Sequence, residues 1–296
     1  MGNIIYSVVI PHYNSSELLS RMLKSIPERE DIEVIVVDDF SRHDESDGLK
    51  LLKHRNLSIV YLSENRGAGY ARNIGIRKMQ GSWALIVDAD DIFDEKAFDI
   101  FDKYKEKDID YLCYCVNTII PETGEPDGSK IVSDESVRAF LKNPNEKNRL
   151  LFLYRNTLCW NKMISVDFIR KNNIEFEPCM VNNDVYFTYM LALKATKYEI
   201  VSDELYHCIL VSDSITMKPK SIEREFEFYL QAQKRNGFFE NLGMKYFPYY
   251  RTDFLYALFI IKKRGVIDLI RFYRYKSKHQ NDVIEARKAY LHLLGI

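Results

Sequence analysis

The sequence predicts an α/β fold with a mostly parallel, doubly wound sheet and a helical C-terminal extension. Short apolar runs alternate with segments whose apolar residues recur at helical spacing, which indicates strands alternating with helices. The runs at 33–37 and 83–87 are apolar along nearly their whole length rather than at every second position. Such strands are buried on both faces, as in a parallel sheet covered by helices.

Composition narrows the class of protein. The chain has 296 residues, 46% hydrophobic and 29% charged, and its formal net charge of -1 gives no reason to expect nucleic acid as a partner. Five cysteines without a C-x-x-C pair are typical of a reducing compartment. The N-terminus shows no signal-peptide pattern, and no apolar run reaches membrane-spanning length. We therefore expect a cytoplasmic protein.

The predicted elements follow in chain order. The first strand covers 6–10 and stops at Pro11, and a helix then opens at Asn14, which is spaced from Glu17 as in a capping box. Apolar residues at 18, 19, 22, 23 and 26 continue that helix. Further strands are predicted at 33–37, 58–62, 83–87 and 111–116.

Polar residues follow three of these strands. In an open parallel sheet, ligands bind beyond the carboxyl ends of the strands, so residues 11–14, 38–39 and 88–90 should share one rim. Tyr13 offers a flat face on which a base can stack, and Asp39 offers an acceptor for a ring N–H such as that of uracil. Taken alone, each has an ordinary alternative, because such a tyrosine often packs and such an acidic pair often forms a turn.

The acidic cluster at the end of the 83–87 strand is the strongest single signal. Asp88 and Asp90 straddle one residue, so their side chains can converge on one hard cation, Mg²⁺ or Mn²⁺. The alternative is a solvated turn in which Asp91 or Asp94 caps the next helix.

The segment 64–75 lies between the third and fourth strands. Gly67 and Gly69 allow the backbone to approach a ligand closely, and the helix that begins here would direct its N-terminal amides at the rim. Arg72 would add a forked donor for phosphate or ribose oxygens, or would pair with one of the nearby aspartates. Both uses are compatible.

Four segments together resemble a known family, the family 2 glycosyltransferases of the GT-A fold. They are V-V-I-P-H-Y-N at 8–14, V-V-D-D-F-S at 36–41, N-R-G-A-G-Y-A-R-N at 65–73 and V-D-A-D-D at 87–91. The resemblance covers roughly the first third of the chain. It implies a nucleotide-sugar donor, usually a UDP-sugar, with Mn²⁺ or Mg²⁺ at a DxD motif formed by Asp88 and Asp90. The donor-binding residues that it implies are Pro11, Tyr13, Asn14, Asp39, Asn65, Gly69, Arg72, Asp88 and Asp90.

The same resemblance implies acceptor and catalytic residues further along. The segment 158–163 is similar to the family's W-x-K-L segment, which makes Trp160 and Lys162 candidates for acceptor binding. Trp160 would be a platform for a sugar ring or an ordinary core residue. Asp184 stands where the family has its general base, although Asn183 replaces the usual neighbouring glutamate. Without the other motifs, Asp184 would be read as a helix cap.

The segments 205–208 and 212–216 are similar to the family's tyrosine-containing strand and its S-I-T loop, which tends to close over the diphosphate. His207 is a candidate for a further metal ligand or diphosphate contact, with an ordinary hydrogen-bonded histidine as the alternative.

From Ile222 onward the pattern is helical and carries no further catalytic motif. An apolar run at 254–261 precedes basic residues interleaved with aromatic ones, which suits either the surface of an anionic bilayer or a packed cap or dimer face. The predicted organisation is a nucleotide-sugar-binding half at 1–120, an acceptor-binding half at 121–220 and a helical region at 221–296.

The resemblance implies a metal-dependent, inverting glycosyltransferase acting on a glycan or lipid-linked acceptor in bacterial surface polysaccharide synthesis, such as capsule. Peripheral contact with the inner face of the membrane would suit that role. Two other classes stay open: a non-catalytic nucleotide-sugar-binding protein, and a metal-dependent nucleotidyltransferase or hydrolase on a related sheet.

Overall fold

The computed structural model describes residues 3–120, 123–128, 131–179, 181–209, 221–243 and 253–295. Contacts divide the chain into two compact units, one formed by residues 1–179 with 183–212 and the other by residues 180–182 with 213–296. No helix in the described ranges is both long enough and apolar enough to span a bilayer.

The first unit begins with alternating strands and helices. They are β1 (Tyr6–His12), α1 (Ser16–Ser25), β2 (Ile32–Asp38), α2 (His43–Leu51), β3 (Leu57–Tyr61), α3 (Ala68–Lys78) and β4 (Trp83–Ile86). These strands pair in parallel in the order β3-β2-β1-β4. β2 and β4 are buried along their whole length, and β3, at the sheet edge, is partly exposed. This confirms the predicted α/β class and explains why the central strands are continuously apolar.

The sheet continues with the rest of the unit. Its elements are β5 (Ile92–Phe93), α4 (Ala97–Asp102), β6 (Tyr111–Ile119), α5 (Val132–Lys142), α6 (Glu146–Arg155), β7 (Lys162–Ser165), α7 (Val166–Lys171), α8 (Asp184–Lys194) and β8 (Tyr198–Ile209). The strand order is β4-β7-β6-β8-β5, in which β7 runs antiparallel to both neighbours while β6 and β8 are parallel. β5 pairs antiparallel with β8.

An aromatic cluster packs beside the end of β4. Phe93 makes edge-to-face contact with Phe98, Phe101 and Tyr206, with ring centroids 5.3 to 6.2 Å apart. Such pairs add to the free energy gained from burying the rings. The cluster therefore gives the acidic segment that follows β4 a rigid support.

The first helix does not begin as the sequence predicts. α1 starts at Ser16, and no side chain caps it. Asn14 has a left-handed backbone, with φ of 50°, and its Oδ1 accepts the backbone N–H of Arg42 at 2.8 Å. The predicted capping box of Asn14 and Glu17 is therefore wrong, because Asn14 fastens the loop after β1 to the loop after β2 instead.

The second unit is helical. It consists of α9 (Ile222–Asn241), α10 (Asp253–Arg264), α11 (Val266–Lys278), α12 (Gln280–Lys288) and a short 3₁₀ helix at Leu291–Leu294. Its core is formed by Phe226, Tyr229, Tyr256, Ile260 and Phe272. The buried Tyr256 hydroxyl donates to the Glu225 side chain at 2.8 Å and also lies 2.8 Å from the Glu225 backbone oxygen. The hydroxyl group is therefore satisfied inside the core.

Candidate functional site

The site is built around the three carboxylates that follow β4. One carboxylate oxygen from each of Asp88, Asp90 and Asp91 lies within 4.8 Å of the others, and this is the one such group of potential metal ligands among the described residues. Asp88 and Asp90 are partly exposed, whereas Asp91 is buried. Three carboxylate oxygens are a donor set that Mg²⁺ and Mn²⁺ favour, so the residues fit the implied cation.

Two of these carboxyl groups have raised pKa values. Burial, assisted by the negative charge of Asp88, raises the pKa of Asp90 to about 6. Burial also raises the pKa of Asp91 well above its usual range, with Asp90 and Asp88 adding to the effect. Buried carboxyl groups with raised pKa values and negatively charged neighbours are characteristic of functional sites, because binding and catalysis use such shifted groups.

Tyr206 supports the cluster from β8. Its hydroxyl accepts the backbone N–H of Asp88 at 3.0 Å and also hydrogen-bonds to the Asp91 carboxyl group. Asp91 in turn accepts the backbone N–H of Ile209 at 3.0 Å. Asp91 is thus tied to the neighbouring strand, while Asp88 and Asp90 face more open space. On the other side, the Arg21 guanidinium donates to the backbone oxygen of Asp90 at 2.7 Å.

Arg72 joins the acidic cluster to the start of α8. Its buried guanidinium donates to the Asp88 carboxylate through one nitrogen and to Asn183 Oδ1 through another, the latter at 2.6 Å. The Arg72 Nε is buried without a hydrogen-bond partner among the described residues. The pairing of Arg72 with an aspartate, which the sequence left as one alternative, is therefore what the structure contains.

Asp184 is the first residue of α8 and lies within electrostatic reach of Arg72. The position that would cap α8 belongs to Asn183, whose side chain points to Arg72 rather than to the helix amides. The interpretation of Asp184 as a helix cap is therefore wrong. Asp184 is partly exposed, as a group that receives a proton from a bound acceptor must be.

Lys162 does not occupy the place expected of an acceptor-binding residue. It is buried, and its Nζ donates to the backbone oxygen of Leu158 at 2.6 Å and to Asn161 Oδ1 at 2.7 Å. Burial lowers the pKa of Lys162, while the charge of Asp184 favours its protonated form. Direct acceptor contact by Lys162 is contradicted by this burial, although Lys162 lies within electrostatic reach of Asp184.

Trp160 is half-buried against the tyrosine that supports the acidic cluster. Its ring stacks on Tyr206 with centroids 5.0 Å apart and planes 22° apart. Its backbone oxygen accepts the Tyr114 hydroxyl at 2.7 Å. One face of the indole is thus used in packing, so Trp160 contributes to the support of the site whether or not a sugar contacts its other face.

The part of the rim where the nucleotide base is expected to bind contains a cleft of about 660 Å³ at the ends of β1, β2 and β3. Its lining includes three exposed aromatic residues, Tyr13, Phe40 and Tyr61, and Tyr13 is 47% exposed. Phe40 has a φ of 63°, a left-handed conformation that is strained for a non-glycine residue and is found preferentially at functional sites. Pro11 lies inside β1, opposite Val37 of β2, so the strand does not stop at Pro11 as predicted but continues to His12.

A hydrogen-bonded group beneath Tyr13 fixes these loops. His12 Nδ1 lies 2.8 Å from Asp38, and His12 Nε2 accepts the backbone N–H of Ser15 at 3.1 Å. Because Nε2 accepts, the neutral ring must carry its proton on Nδ1, where it donates to Asp38. Ser41 accepts the backbone N–H of Asn14 at 2.8 Å and donates to Asp38.

Asp39 is turned toward the loop that enters α3. Its two carboxylate oxygens accept the backbone N–H groups of Arg66 and Gly67 at 2.8 and 2.7 Å. Burial raises the pKa of Asp39 against the lowering effect of these hydrogen bonds. Asn65 donates to the Asp39 backbone oxygen at 3.1 Å, so both residues hold the loop. A base that used Asp39 would share a carboxylate already engaged by two amides.

Gly69 allows close packing of α3. A Cβ at this position would lie 2.5 Å from the Glu177 backbone oxygen and 2.9 Å from Asn183 Cβ. The absence of a side chain thus lets α3 lie against the segment that carries Asn183. A ligand contact of the Gly69 backbone stays a prediction beside this packing role.

His207 does not join the carboxylate group. Its Nε2 lies 2.9 Å from Asp94 and its Nδ1 bonds to Asn117, so both ring nitrogens already have side-chain partners. The expectation of His207 as a metal ligand is not met by this geometry, and the ordinary hydrogen-bonded alternative is. The S-I-T loop expected at 212–216 lies outside the described residues.

The sequence patterns gave no role to Tyr206, Asn183 or Arg21. They also did not give Asp91 as a potential metal ligand. Asp91 stood next to the DxD pair, so the signal for it was present. Tyr206 meets the acidic segment because β8 pairs with β5, where it lies opposite Phe93, and no local pattern reveals that pairing.

Comparisons with known proteins agree with this architecture. Residues 7–172 match the family model described as glycosyl transferase family 2. The cholesterol galactosyltransferase of Borreliella burgdorferi is 24% identical over 294 residues, covering 92% of this chain and 80% of that protein. The poly(ribitol-phosphate) beta-N-acetylglucosaminyltransferase TarS of Staphylococcus aureus is 25% identical over 210 residues, covering 68% of this chain but only 35% of TarS.

Among solved structures, the crystal structure of S. aureus TarS 1-349 in complex with UDP-GlcNAc superposes with a TM-score of 0.57 at 20% identity, covering 96% of this chain and 79% of that one. This likeness shows a shared fold. The match of the family model extends over more than half of the chain and contains the rim and the acidic cluster. The chain therefore belongs to glycosyl transferase family 2 and is a glycosyltransferase by family, which confirms the resemblance recognised in its sequence.

Proposed function

We propose that this protein is a metal-dependent, inverting glycosyltransferase that moves a sugar from a UDP-sugar to a hydroxyl of a glycan or lipid-linked acceptor in surface polysaccharide synthesis. The observation that carries the proposal is the hydrogen-bonded path from Asp88 through Arg72 to Asn183. Asp184 is the next residue and lies within electrostatic reach of Arg72. This arrangement supports the proposal, because a donor diphosphate at the acidic cluster and a base for the acceptor would then lie close together.

Donor binding is divided between two parts of the rim. Tyr13 supplies the exposed ring on which the base stacks, and the Asn14 loop is held in place by Ser41 and Arg42. Asp88 and Asp90 would hold the cation, with Asp91 behind them. When bound, a divalent cation stabilises the negative charge of the departing nucleoside diphosphate. A structure with the same fold, S. aureus TarS 1-349, was solved in complex with UDP-GlcNAc, which supports a nucleotide sugar as the donor, and the sugar used by this chain is part of the proposal.

Asp184 acts on the acceptor. Its carboxylate takes the proton of the acceptor hydroxyl while that oxygen forms a bond to the anomeric carbon of the sugar. The bond from the anomeric carbon to the diphosphate breaks, and its electron pair leaves with the diphosphate. Attack and departure on opposite faces invert the anomeric centre. Arg72 and Lys162 both lie within electrostatic reach of Asp184.

Nucleotide titration tests the donor site. Calorimetric titrations with UDP, GDP and dTDP, each with and without Mn²⁺, should show Mn²⁺-dependent UDP binding that the Asp90→Ala variant loses. Asp99→Ala, which removes an exposed acid from α4, is the matched control and should bind like the wild type. Absence of binding to all three nucleotides would mean that this rim is not a nucleotide site.

A second variant tests the base. Asp184→Asn keeps the size of the side chain but removes its basicity, so UDP affinity should persist while transfer falls by about 10²-fold or more. Asp167→Asn, in the first turn of α7, is the matched control because it makes the same change at another helix start. Near-normal transfer by Asp184→Asn would remove Asp184 from this role.

A further inference from the structure

The second unit presents an apolar surface to solvent. Ile267 is 70% exposed, and five other large aliphatic residues of α10 and α11 are exposed with it, among them Leu255 at the start of α10. This surface, named here the α10–α11 face, consists of Leu258, Ile261, Val266, Ile267 and Ile270. Single exposed aliphatic residues are common on protein surfaces, but five on two adjacent helices form a patch that needs an explanation.

These residues are not part of the core of the unit. Tyr256 and Ile260 of α10 and Phe272 of α11 are the buried side chains that pack against α9. At 100° per residue, Leu258 lies on the opposite side of α10 from Tyr256, and Ile270 lies on the opposite side of α11 from Phe272. Each helix therefore has a side that builds the core and an exposed aliphatic side that does not.

Positive charge surrounds the face. Lys262, Arg271, Arg274 and Lys278 are exposed on the same two helices. Among the described side chains of α10 and α11, the one carboxylate is that of Asp268, which is 3.2 Å from both Arg264 and Arg271. Asp268 is thus paired, and the described exposed side chains of these two helices carry a net positive charge.

An aliphatic patch with a cationic border has a specific physical complement. The surface of an anionic bilayer offers acyl chains for the aliphatic side chains and phosphate head groups for the lysines and arginines. Two copies of the chain that met through this face would bring their own cationic borders together, which is unfavourable. The charge pattern thus favours a lipid surface over a second copy.

We propose that the α10–α11 face docks on the surface of an anionic lipid bilayer. The aliphatic side chains enter the region between the head groups and the acyl chains, and the basic border lies among the head-group phosphates. This inference rests on the second unit alone. It neither requires nor follows from nucleotide-sugar transfer.

Vesicle co-sedimentation of the full chain tests the proposal. Vesicles of phosphatidylcholine alone are compared with vesicles of equal parts phosphatidylcholine and phosphatidylglycerol, at low and at high salt. The protein should sediment with the anionic vesicles, sediment much less with the neutral ones, and be released as salt screens the phosphates. UDP binding, measured in the same preparations, separates a failure of this proposal from a failure of the donor site.

Two variants and one control locate the contact. Ile267→Glu combined with Ile270→Glu should weaken vesicle binding by at least about tenfold, because both side chains would carry charge into the apolar layer. Arg274→Glu combined with Lys278→Glu should weaken vesicle binding to a similar degree while leaving the aliphatic residues unchanged. This second variant tests the proposal if the isoleucine variant fails to fold. Leu51→Glu is the matched control, since Leu51 is 80% exposed on α2 in the other unit, and it should bind as the wild type does.

Three results would overturn the proposal. The first is no sedimentation of the wild type with anionic vesicles at low salt. The second is wild-type binding by both folded double variants. The third is a dimer in solution that the isoleucine variant converts to monomer while vesicles have no effect, because the face would then belong to a second copy.

Discussion

Replacing Arg72 by glutamine should destabilise the protein far more than the same change at another arginine of α3. Arg72 is buried, and its two hydrogen bonds reach Asp88 on one side and Asn183 on the other. Glutamine keeps a polar group of intermediate length but has no charge and no fork. The acidic cluster then loses the guanidinium that contacts it, and Asn183 loses its partner.

The size of the effect follows from these contacts. A hydrogen bond that involves a charged group contributes about 1.5 to 3 kcal/mol, and leaving a buried partner unsatisfied adds to the loss. Because the Asp88 side chain is 31% exposed, solvent screens part of its interaction with Arg72. A loss of about 2 to 3 kcal/mol in the free energy of unfolding is therefore expected for Arg72→Gln.

Urea unfolding followed by circular dichroism measures this difference. Arg77→Gln is the matched control, because Arg77 lies on the same helix, is half exposed and is 3.5 Å from Glu175. That variant should lose less than about 0.5 kcal/mol. Equal stability losses for the two variants would refute the account of Arg72 as the buried connection between the acidic cluster and α8.

The stabilisation provided by Mn²⁺ is a second measurement on the Arg72→Gln variant. Arg72 repels a cation near Asp88, so its removal should increase the stabilisation that Mn²⁺ provides relative to the wild type. A cation present at a hundred times its dissociation constant raises stability by about 2.7 kcal/mol. If Mn²⁺ stabilises neither protein, the metal site is refuted while the conclusion about Arg72 still rests on the urea data.

Three further changes have defined outcomes. Gly69→Ala should cost about 1 to 3 kcal/mol in urea unfolding, since the new Cβ would meet a backbone oxygen 2.5 Å away; a neutral result would contradict the close packing of α3. Tyr206→Phe should weaken Mn²⁺ binding by about tenfold in calorimetry without unfolding the chain, because Asp91 loses a hydrogen bond that orients it; unchanged affinity would remove Tyr206 from the support of the site. Asp102→Asn should be less stable than the wild type by about 1 to 2 kcal/mol at neutral pH, because hydrogen bonds from Arg29 hold the pKa of Asp102 at about 2. That difference should shrink as pH falls from about 4 toward 2, where the wild-type carboxylate becomes protonated, and a gap independent of pH would count against it.

The sheet could be predicted from the sequence because its signals are local. Each central strand contains a continuous apolar run, and β1, β2 and β4 lie within a residue or two of their predicted bounds, although β1 continues through Pro11 to His12. The ends of these strands meet for a general reason, since parallel strands finish at one edge. The rim with Tyr13 and the acidic cluster followed from that rule.

The remainder of the site depends on contacts between distant parts of the chain. Asn183 meets Arg72 across 111 positions, and nothing near either residue indicates the other. Lys162 carries a charge, which favours exposure on average, yet the carbonyl groups around it permit its burial. The start of α1 was misplaced for a similar reason, because the partner of Asn14 lies in another loop.

The tie between the acidic cluster and β8 has a consequence for how the protein forms. Asp88 and Asp91 each meet a group on β8 that lies 118 positions later in the chain. A ribosome that has made only the first half of this sequence has therefore produced the carboxylates without the strand that orients them. Contacts so far apart in sequence form slowly, because a long loop must close before they do. Competence to bind a cation should thus appear late in folding, together with β8, and a nascent chain that ends before this strand should lack it.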